Sequence, residues 1–463
     1  MTKFLMPCVD RSRFSLSWGR CQRARFLEYH SGNGFGIRRK AQSLPLATGI
    51  HVHEMLEGLL RVGQESREAY REVIIAAAAN YRKKVNASGV LQLAEEVNEE
   101  EGVADLHALV EEQAALIEGL GWAAVKVMLP QLYSQYEVVS IEQEEEYVLG
   151  CSCGLGEGVG SGDQHEEREC EGIVLMSRPD LLVRNKADRT LAYVEFKTAG
   201  DMNSFGWKDQ WEGNVQLALG VVGAEKRLGE AVPNCFVLGF NKGWRKKGYN
   251  VEEKAYTGAK RQDSPFCYAY KKEANPPLWE EQWATSYDWV DENGKNRKLG
   301  KEWKKCPVWE GEFAGRPEGW TKLEYWVEGM GVEELEKQIQ WVGPLPVARY
   351  LVSDLLEALT AEEKRWQERL FRIWEAQGDA HKDARKNFHT ALNVEVPQSW
   401  ECLRYTKKCQ FLPICRKEEG WEAVIAGEGD GDKWVARRPH HAREEKMMKV
   451  LGIELPEENE EVE

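Results

Sequence analysis

The chain has 463 residues, of which 42% are hydrophobic, and a formal net charge of −15. This length and composition indicate a globular protein with two or three domains. No apolar run reaches the roughly 18 residues of a membrane span, and the first residues lack the apolar core of a secretory signal, so we expect a cytoplasmic protein that makes no membrane contact. The acidic total argues against a protein coated in nucleic acid, although basic clusters at 38–40 and 245–247 are compatible with a basic channel in an acidic shell.

Apolar periodicity divides the first half of the chain into three parts. Residues 1–48 form an N-terminal segment that carries Cys21 and several arginines. In residues 49–136, apolar side chains recur at three- and four-residue steps, which predicts helices. Residues 137–240 contain short β-branched or aromatic runs, which predict the strands of a central sheet: VVSIEQEEEYVL, GIVLM, PDLLVR, LAYVEFK and NCFVLGF. We therefore predict an α/β fold, with a central mixed sheet flanked by helices.

A glycine-rich, acidic loop separates the first two of these strands. It contains Cys151, Cys153, His165 and Cys170, which are residue types that bind zinc. Their spacing meets no zinc-motif rule, so the sequence predicts loop cysteines without a metal.

The segment from Arg178 to Gly200 has the pattern of a β-hairpin. Two apolar runs flank the turn 185–190. If the turn is centred between Ala187 and Asp188, paired residue numbers sum to 375, and Asp180 lies opposite Glu195. Alternation then places Glu195 and Lys197 on one face of the strand.

Two opposed carboxylates would repel each other unless a cation lies between them. Divalent cations take carboxylate oxygens as ligands, and a lysine beside such an ion is suited to phosphodiester hydrolysis. The hairpin therefore predicts a metal-dependent catalytic centre at Asp180, Glu195 and Lys197. An ordinary hairpin with solvent-exposed charges is the alternative.

Pro179-Asp180 followed by Glu195-Phe196-Lys197 resembles the signature of the PD-(D/E)xK nucleases. Gln216 resembles the glutamine that follows the motif in RecB-like and CRISPR-associated members, although Gly220 stands where those families often have a tyrosine. Gly49 and His53 match their Gly-x-x-x-His motif, which implies that His53 binds the metal with Asp180 and Glu195; His51 is the alternative ligand.

This resemblance implies a restriction-endonuclease-like core and Mg²⁺ or Mn²⁺ as the catalytic ion. It also implies a [4Fe-4S] cluster, because RecB-like nucleases clasp their two ends with one N-terminal cysteine and a C-terminal triplet. The matching residues here are Cys21, Cys402, Cys409 and Cys415, with a wider spacing between the first two members of the triplet. Zinc, or free buried thiols, are the alternatives.

The second half of the chain is less regular. Residues 241–395 are predicted to hold an insertion, whose one clear strand is SPFCYAY, and a long helical stretch from Val332 to about Gln377, broken near 343–346. Residues 396–425 carry the cysteine triplet, and the acidic tail 426–463 is predicted to be disordered. Basic residues beside tryptophan suggest a DNA contact at Arg245, Lys246 and Lys247, and we expect further basic residues to line a groove near the clasp: Arg20, Arg23, Arg25, Lys407 and Lys408.

The resulting functional expectation is an exonuclease that hydrolyses DNA from its ends in recombination, repair or phage replication. The chain has no Walker A phosphate loop, so it would act on available ends or single strands, or together with a helicase, a recombinase or a single-strand annealing protein. Three alternatives remain at this point: a CRISPR adaptation nuclease that trims prespacers, a site-specific endonuclease, and a non-catalytic DNA-binding scaffold.

Overall fold

The computed structural model describes most of residues 44–242 and selected parts of the remainder. The described residues are 7–18, 21–31, 36–39, 44–87, 106–156, 162–167, 169–200, 202, 206–242, 249–250, 255–256, 266, 289–290, 296–297, 316–375, 403–404, 407–409, 411–416 and 434–450. Arg20, Cys402 and the candidate DNA contacts Arg245, Lys246 and Lys247 lie outside them, as does the predicted strand SPFCYAY except for Phe266.

A layer of helices precedes the central sheet. Its members are α3 (Leu44–Val62), α4 (Arg67–Ala87), α5 (Leu106–Ala123), a π-helical turn (Ala124–Met128) and α6 (Leu129–Gln135). The apolar positions of the sequence pattern, such as Leu56, Leu59 and Leu120, are fully buried between these helices. Before this layer come β1 (Cys8–Val9), α1 (Arg11–Trp18), α2 (Gln22–Tyr29) and β2 (Ile37–Arg39).

The central sheet has five strands in the order β13-β8-β7-β6-β3. Only β7 and β8 run parallel, so the sheet is mixed and the predicted α/β class is confirmed. The bounds are β3 (Tyr136–Ile141), β6 (Leu181–Asn185), β7 (Leu191–Ala199), β8 (Asn234–Asn241) and β13 (Ile339–Pro346).

The two faces of β7 pack against different layers. Val194 and Phe196 enter the core formed with α3, α4 and α5. Tyr193 lies on the opposite face, in a second core with α8 (Val215–Leu228). Helix α8 begins at the N-cap Asn214, whose side chain accepts a hydrogen bond from the Gln216 amide at 2.9 Å.

A smaller sheet, in the order β1-β5-β4, lies beside α8. It contains β4 (Glu145–Leu149) and β5 (Ile173–Ser177), joined through a loop that carries α7 (Gly162–Glu166). The shorter strand pairs are β9 (Tyr249–Asn250) with β10 (Ala255–Tyr256), β11 (Trp289–Val290) with β12 (Asn296–Arg297), and β14 (Leu403–Arg404) with β15 (Lys407–Lys408). The remaining elements are a 3-10 turn (Asp209–Trp211), α9 (Lys322–Gly329), α10 (Val332–Glu336), α11 (Arg349–Glu375), α12 (Leu412–Cys415), β16 (Trp434–Ala436) and α13 (Ala442–Val450).

Two sequence expectations differ from the structure. The predicted helical stretch from Val332 to about Gln377 is interrupted by a whole strand, β13, which pairs antiparallel with β8. Its Gly-Pro-Leu-Pro end is tolerated because β13 lies at the sheet edge, where proline removes no ladder hydrogen bond. The acidic tail was expected to be disordered, yet residues 434–450 form β16 and α13, and Arg437, Arg443 and Glu444 are buried there.

No helix among the described residues combines the length and the hydrophobicity that crossing a bilayer requires.

Candidate metal-dependent active site

The hairpin of β6 and β7 has the register that the sequence predicts. Strands β6 and β7 pair antiparallel through Leu181 with Val194 and Leu182 with Tyr193. Asp180 immediately precedes β6, and its side chain turns back to accept a hydrogen bond from the Phe196 amide at 2.6 Å. The Asp180 carboxylate is thus fixed beside the Glu195-Phe196-Lys197 segment, with 7% of the residue exposed.

A further carboxylate, Glu142, joins Asp180 at the end of β3. Strand β3 pairs with β6 through Ile141 and Leu181, so the next residue, Glu142, lies beside Asp180; its amide donates to the Asp180 carbonyl at 3.0 Å. Sequence analysis did not single out Glu142, which lies among the other acidic residues of the run EQEEE.

Helix α3 contributes His53 to the same site. Its Nδ1 lies 3.8 Å from Asp180 Oδ1 and 4.0 Å from Glu142 Oε1. One potential ligand atom from each of these three residues lies within 4.8 Å of the other two, a group that could hold a metal ion. His51, the alternative histidine, is buried on another side of α3, where its ring meets Tyr81 edge-on and its Nδ1 lies 2.8 Å from the Ala47 carbonyl.

Glu195 is held by three donors. Lys197 Nζ and Gln216 Nε2 both donate to its Oε1, and the Tyr193 hydroxyl donates to its Oε2. The structure therefore brings Lys197 and Gln216 onto Glu195, and adds Tyr193, which sequence analysis did not identify. The expected metal ligands were His53, Asp180 and Glu195; the closest group of ligand atoms contains Glu142 instead of Glu195.

Burial sets the protonation of this site. Burial, and then the charge of Asp180, raise the pKa of Glu142 to about 8 and that of Glu195 to about 7. Burial also raises the pKa of Asp180, against the opposing effect of Lys197. The pKa of His53 falls to about 4, first through burial and then through Lys197, so its imidazole is neutral near pH 7 and has a lone pair for a metal.

An open cleft of about 840 Å³ is lined by His53, Glu142 and Asp180, and also by Lys197 and Gln216. Basic side chains also line it, among them Arg11, Arg178 and Lys242. Arg178 Nε lies 3.1 Å from Glu142 Oε2. The lining of the cleft thus combines carboxylates with cations, and the cations could bind the phosphates of a substrate.

Arg25 was expected to line a DNA groove, and the structure contradicts this. Its guanidinium is fully buried, lies 2.5 Å from Glu363 and stacks over the Trp366 ring at 4.7 Å. Residues 22–29 form helix α2, and Arg25 faces the interior of the clasp rather than solvent.

Cys21, Cys409 and Cys415 meet at one apolar cluster that includes Trp366 and Phe411. Burial, opposed in part by Arg23, raises the pKa of the Cys415 thiol to about 12, and the nearby Cys21 and Cys409 contribute to this rise. Among the described residues, these three sulfur atoms do not all lie within 4.8 Å of one another, as the ligands of a single ion would.

A second group of candidate metal ligands lies in the loop between β4 and β5. Cys151, Cys153, His165 and Cys170 place one ligand atom each within 4.8 Å of the others, a cluster that could bind a metal. The expectation of loop cysteines without a metal site rested on sequence spacing. It missed this group because its members come from two turns and a short helix that meet only in the fold.

No protein-family model matches the chain, and a search of curated proteins finds no significant relative.

Proposed function

We propose that the chain is a metal-dependent DNA nuclease of the PD-(D/E)xK class, with a restriction-endonuclease-like core. The observation that carries this proposal is the register of the hairpin, which sets Asp180 beside Glu195 and Lys197, with Asp180 and Lys197 lining a cleft. His53 and Glu142 complete a set of one imidazole and three carboxylates. Such a set suits Mg²⁺ or Mn²⁺, which prefer oxygen ligands and accept an imidazole.

The donor set fits a divalent ion on physical grounds. Burial raises the pKa of Asp180, Glu142 and Glu195, and the charge of Asp180 raises those of Glu142 and Glu195 further, so a nearby cation would favour their ionised forms. His53, Glu142 and Asp180 would hold the ion. When bound, it supplies positive charge for a phosphate and lowers the pKa of a water that attacks phosphorus.

The other residues orient this chemistry. Lys197 and Gln216 hold Oε1 of Glu195, and Tyr193 holds Oε2, so the carboxylate has one orientation before substrate arrives. The Lys197 ammonium lines the cleft, where it is placed to stabilise charge on a phosphate oxygen.

DNA is the proposed substrate because the cleft combines this site with basic groups that can bind phosphates. Cleavage from DNA ends follows from the likeness to end-processing RecB-like nucleases.

The cysteine clasp is proposed to hold a [4Fe-4S] cluster through Cys21, Cys409 and Cys415, with Cys402 as its fourth ligand; zinc is the alternative. Each thiolate of such a cluster binds a different iron, so the sulfur atoms lie farther apart than around a single ion. The described sulfur atoms of Cys21, Cys409 and Cys415 agree with this, because they pack against one apolar cluster but do not all lie within 4.8 Å of one another.

The test offers the purified protein three DNA substrates with Mg²⁺ and without ATP: linear duplex, the same duplex with both ends hairpin-capped, and single-stranded circles. Release of short products from linear DNA alone, abolished by a chelator, supports an exonuclease. Rapid cutting of the capped and circular DNA would show an endonuclease. Intact DNA in all three reactions, with Mg²⁺ and with Mn²⁺, would remove the nuclease proposal and favour the non-catalytic scaffold.

A further inference from the structure

The loop between β4 and β5 gathers three thiols and one imidazole from separate turns. Cys151 and Cys153 follow β4, His165 lies in α7, and Cys170 precedes β5. Gly150 and Gly154 flank the first two cysteines with φ values of 61° and 82°. These left-handed conformations turn the chain tightly on both sides of Cys151 and Cys153, so that the two side chains converge.

The distances between the ligand atoms match those around a single tetrahedral ion. Cys151 Sγ lies 3.5 Å from Cys153 Sγ and 3.5 Å from His165 Nδ1, and Cys153 Sγ lies 3.3 Å from that nitrogen. Zinc–sulfur bonds of about 2.3 Å and zinc–nitrogen bonds of about 2.0 Å, arranged as a tetrahedron, require ligand atoms roughly 3.5–3.8 Å apart. Cys170 completes the group, within 4.8 Å of the other three.

Backbone and side-chain hydrogen bonds support this arrangement. The Ser152 amide points at Cys170 Sγ at 3.4 Å, and the Ser152 hydroxyl accepts from the Glu171 amide at 2.8 Å. The Cys170 amide donates to the His165 carbonyl at 3.0 Å. Cys170 and His165 are fully buried, so their ligand atoms are held away from water and toward one another.

We propose that Cys151, Cys153, His165 and Cys170 bind one structural zinc ion. Three thiolates and one imidazole form a common structural zinc ligand set, and four protein ligands leave no open position for a substrate. A four-iron cluster does not suit this place, because its thiolates bind different irons and need wider separations. This site is separate from the proposed catalytic ion and from the clasp around Cys21.

The ion would also fix the surface that receives the C-terminal helix. Helix α7, which contains the ligand His165, carries Asp163 and Glu166; Arg443 and Lys446 of α13 form ion pairs with Glu166, and Lys446 also pairs with Asp163. At the start of α13, His441 Nδ1 lies 3.0 Å from Glu144 Oε2 at the edge of the cleft. Loss of zinc should therefore loosen residues 434–450 as well as the loop.

The experiment measures metal content and a cobalt spectrum of the full chain. Cys153→Ser and Cys170→Ser should each lose one equivalent of zinc relative to the unsubstituted protein. The matched control Cys235→Ser, which changes a buried cysteine of β8 outside the cluster, should lose none. Co²⁺ added to metal-stripped protein should give the intense visible bands of tetrahedral thiolate-bound cobalt. These bands should persist in Cys409→Ser, which disrupts the clasp, and shift in His165→Cys, which keeps four ligands.

Hydrogen exchange of 434–450 should quicken on zinc removal and recover on its return. Each of the following results would overturn the proposal: zinc content unchanged in Cys153→Ser and Cys170→Ser, no thiolate–cobalt bands in Cys409→Ser, or a Cys151–Cys153 disulfide in the freshly purified protein. Iron and labile sulfide that are lost in Cys153→Ser would also overturn it. Because His165→Cys keeps four ligands and is judged by its cobalt spectrum, the test does not depend on how well Cys153→Ser and Cys170→Ser fold.

Discussion

The ring of Tyr193 fills the space that a side chain at Gly220 would occupy. A Cβ atom on Gly220 would lie 2.7 Å from Cε1 and 2.9 Å from Cζ of that ring, closer than carbon atoms pack. The Tyr193 ring comes from strand β7, and its hydroxyl donates to Glu195.

Gly220→Ala should therefore destabilise the protein, although alanine ordinarily favours a helix. We expect a loss of about 1–3 kcal/mol in the free energy of unfolding from overpacking, and slower DNA cleavage because Tyr193 is pushed from Glu195. Gly329→Ala is the control: it lies at the end of α9 with no atom within 4 Å of the added carbon. Denaturant unfolding curves measure the free energy of unfolding of both variants. Equal stability of Gly220→Ala and Gly329→Ala would contradict the close packing of Tyr193 against Gly220.

The hairpin and its partners show which parts of the site were readable from sequence. The turn residues and the alternation of β7 determine the pairing of Leu181 with Val194, so the position of Asp180 followed from local rules. The position of Glu142 could not be predicted from local rules, because it depends on the pairing of β3 with β6. A bulge between Val138 and Ser140 shifts the register of that pairing by one residue. No local pattern reveals such a shift.

Stabilisation by Mg²⁺ should grow with pH. The pKa values of Glu195 and Glu142 are raised to about 7 and about 8, so the folded, metal-free protein keeps protons that the unfolded chain releases near 4.5. Their contribution to stability is greatest below that value and is lost as pH rises through about 7 to 8. A divalent ion requires the deprotonated carboxylates, and so binds better across the same window.

Thermal unfolding with and without Mg²⁺ at about pH 6 and about pH 9 measures this effect. The rise in Tm on adding Mg²⁺ should be larger at the higher pH. In Glu142→Gln, the rises in Tm at the two pH values should differ less than in the unsubstituted protein. An equal Mg²⁺ effect at both pH values in the unsubstituted protein would contradict the assignment of these carboxylates.

Replacing either histidine of α3 should have a distinct effect. His53→Ala should raise the Mn²⁺ concentration for half-maximal cleavage at least tenfold, on the order of what a metal-site contact contributes. His51→Ala should cost about 1–3 kcal/mol of stability, because this ring is buried against Tyr81, and should leave the metal requirement unchanged. A Mn²⁺ requirement that changes only in His51→Ala would show that His51, and not His53, binds the metal.

The ion pair between Arg25 and Glu363 is structural. Glu363→Ala leaves a buried guanidinium without its carboxylate partner, which should cost about 3–5 kcal/mol. Glu334→Ala, which removes an exposed pair with Lys337, should cost about 0–1 kcal/mol. Urea unfolding measures the stability of both variants. A Glu363→Ala variant that is fully stable but binds DNA differently would contradict the structural role and support Arg25 as a DNA contact.

The parts of the fold that sequence reasoning missed depend on contacts between distant segments. Strand β13 contains two prolines and reads as a break between helices, but its backbone pairs with β8 and is satisfied there. Residues 434–450 belong to the tail 426–463, which was predicted to be disordered; yet Glu444 is buried and accepts from Arg13, from Arg437 and from the His440 amide. A charged side chain can be buried when the fold supplies a partner of opposite charge or a hydrogen bond, so charge alone does not predict solvent exposure.

The most direct test of the proposed nuclease is cleavage of end-labelled linear DNA with Mg²⁺ by Asp180→Asn beside Asp188→Asn. Both replace an aspartate of the same hairpin with its neutral amide; Asp180 is buried in the site, whereas Asp188 is exposed in the turn. The proposal predicts that Asp180→Asn folds but loses cleavage by at least about 100-fold, while Asp188→Asn keeps the rate of the unsubstituted protein. Equal cleavage by the two variants would contradict an active centre at Asp180.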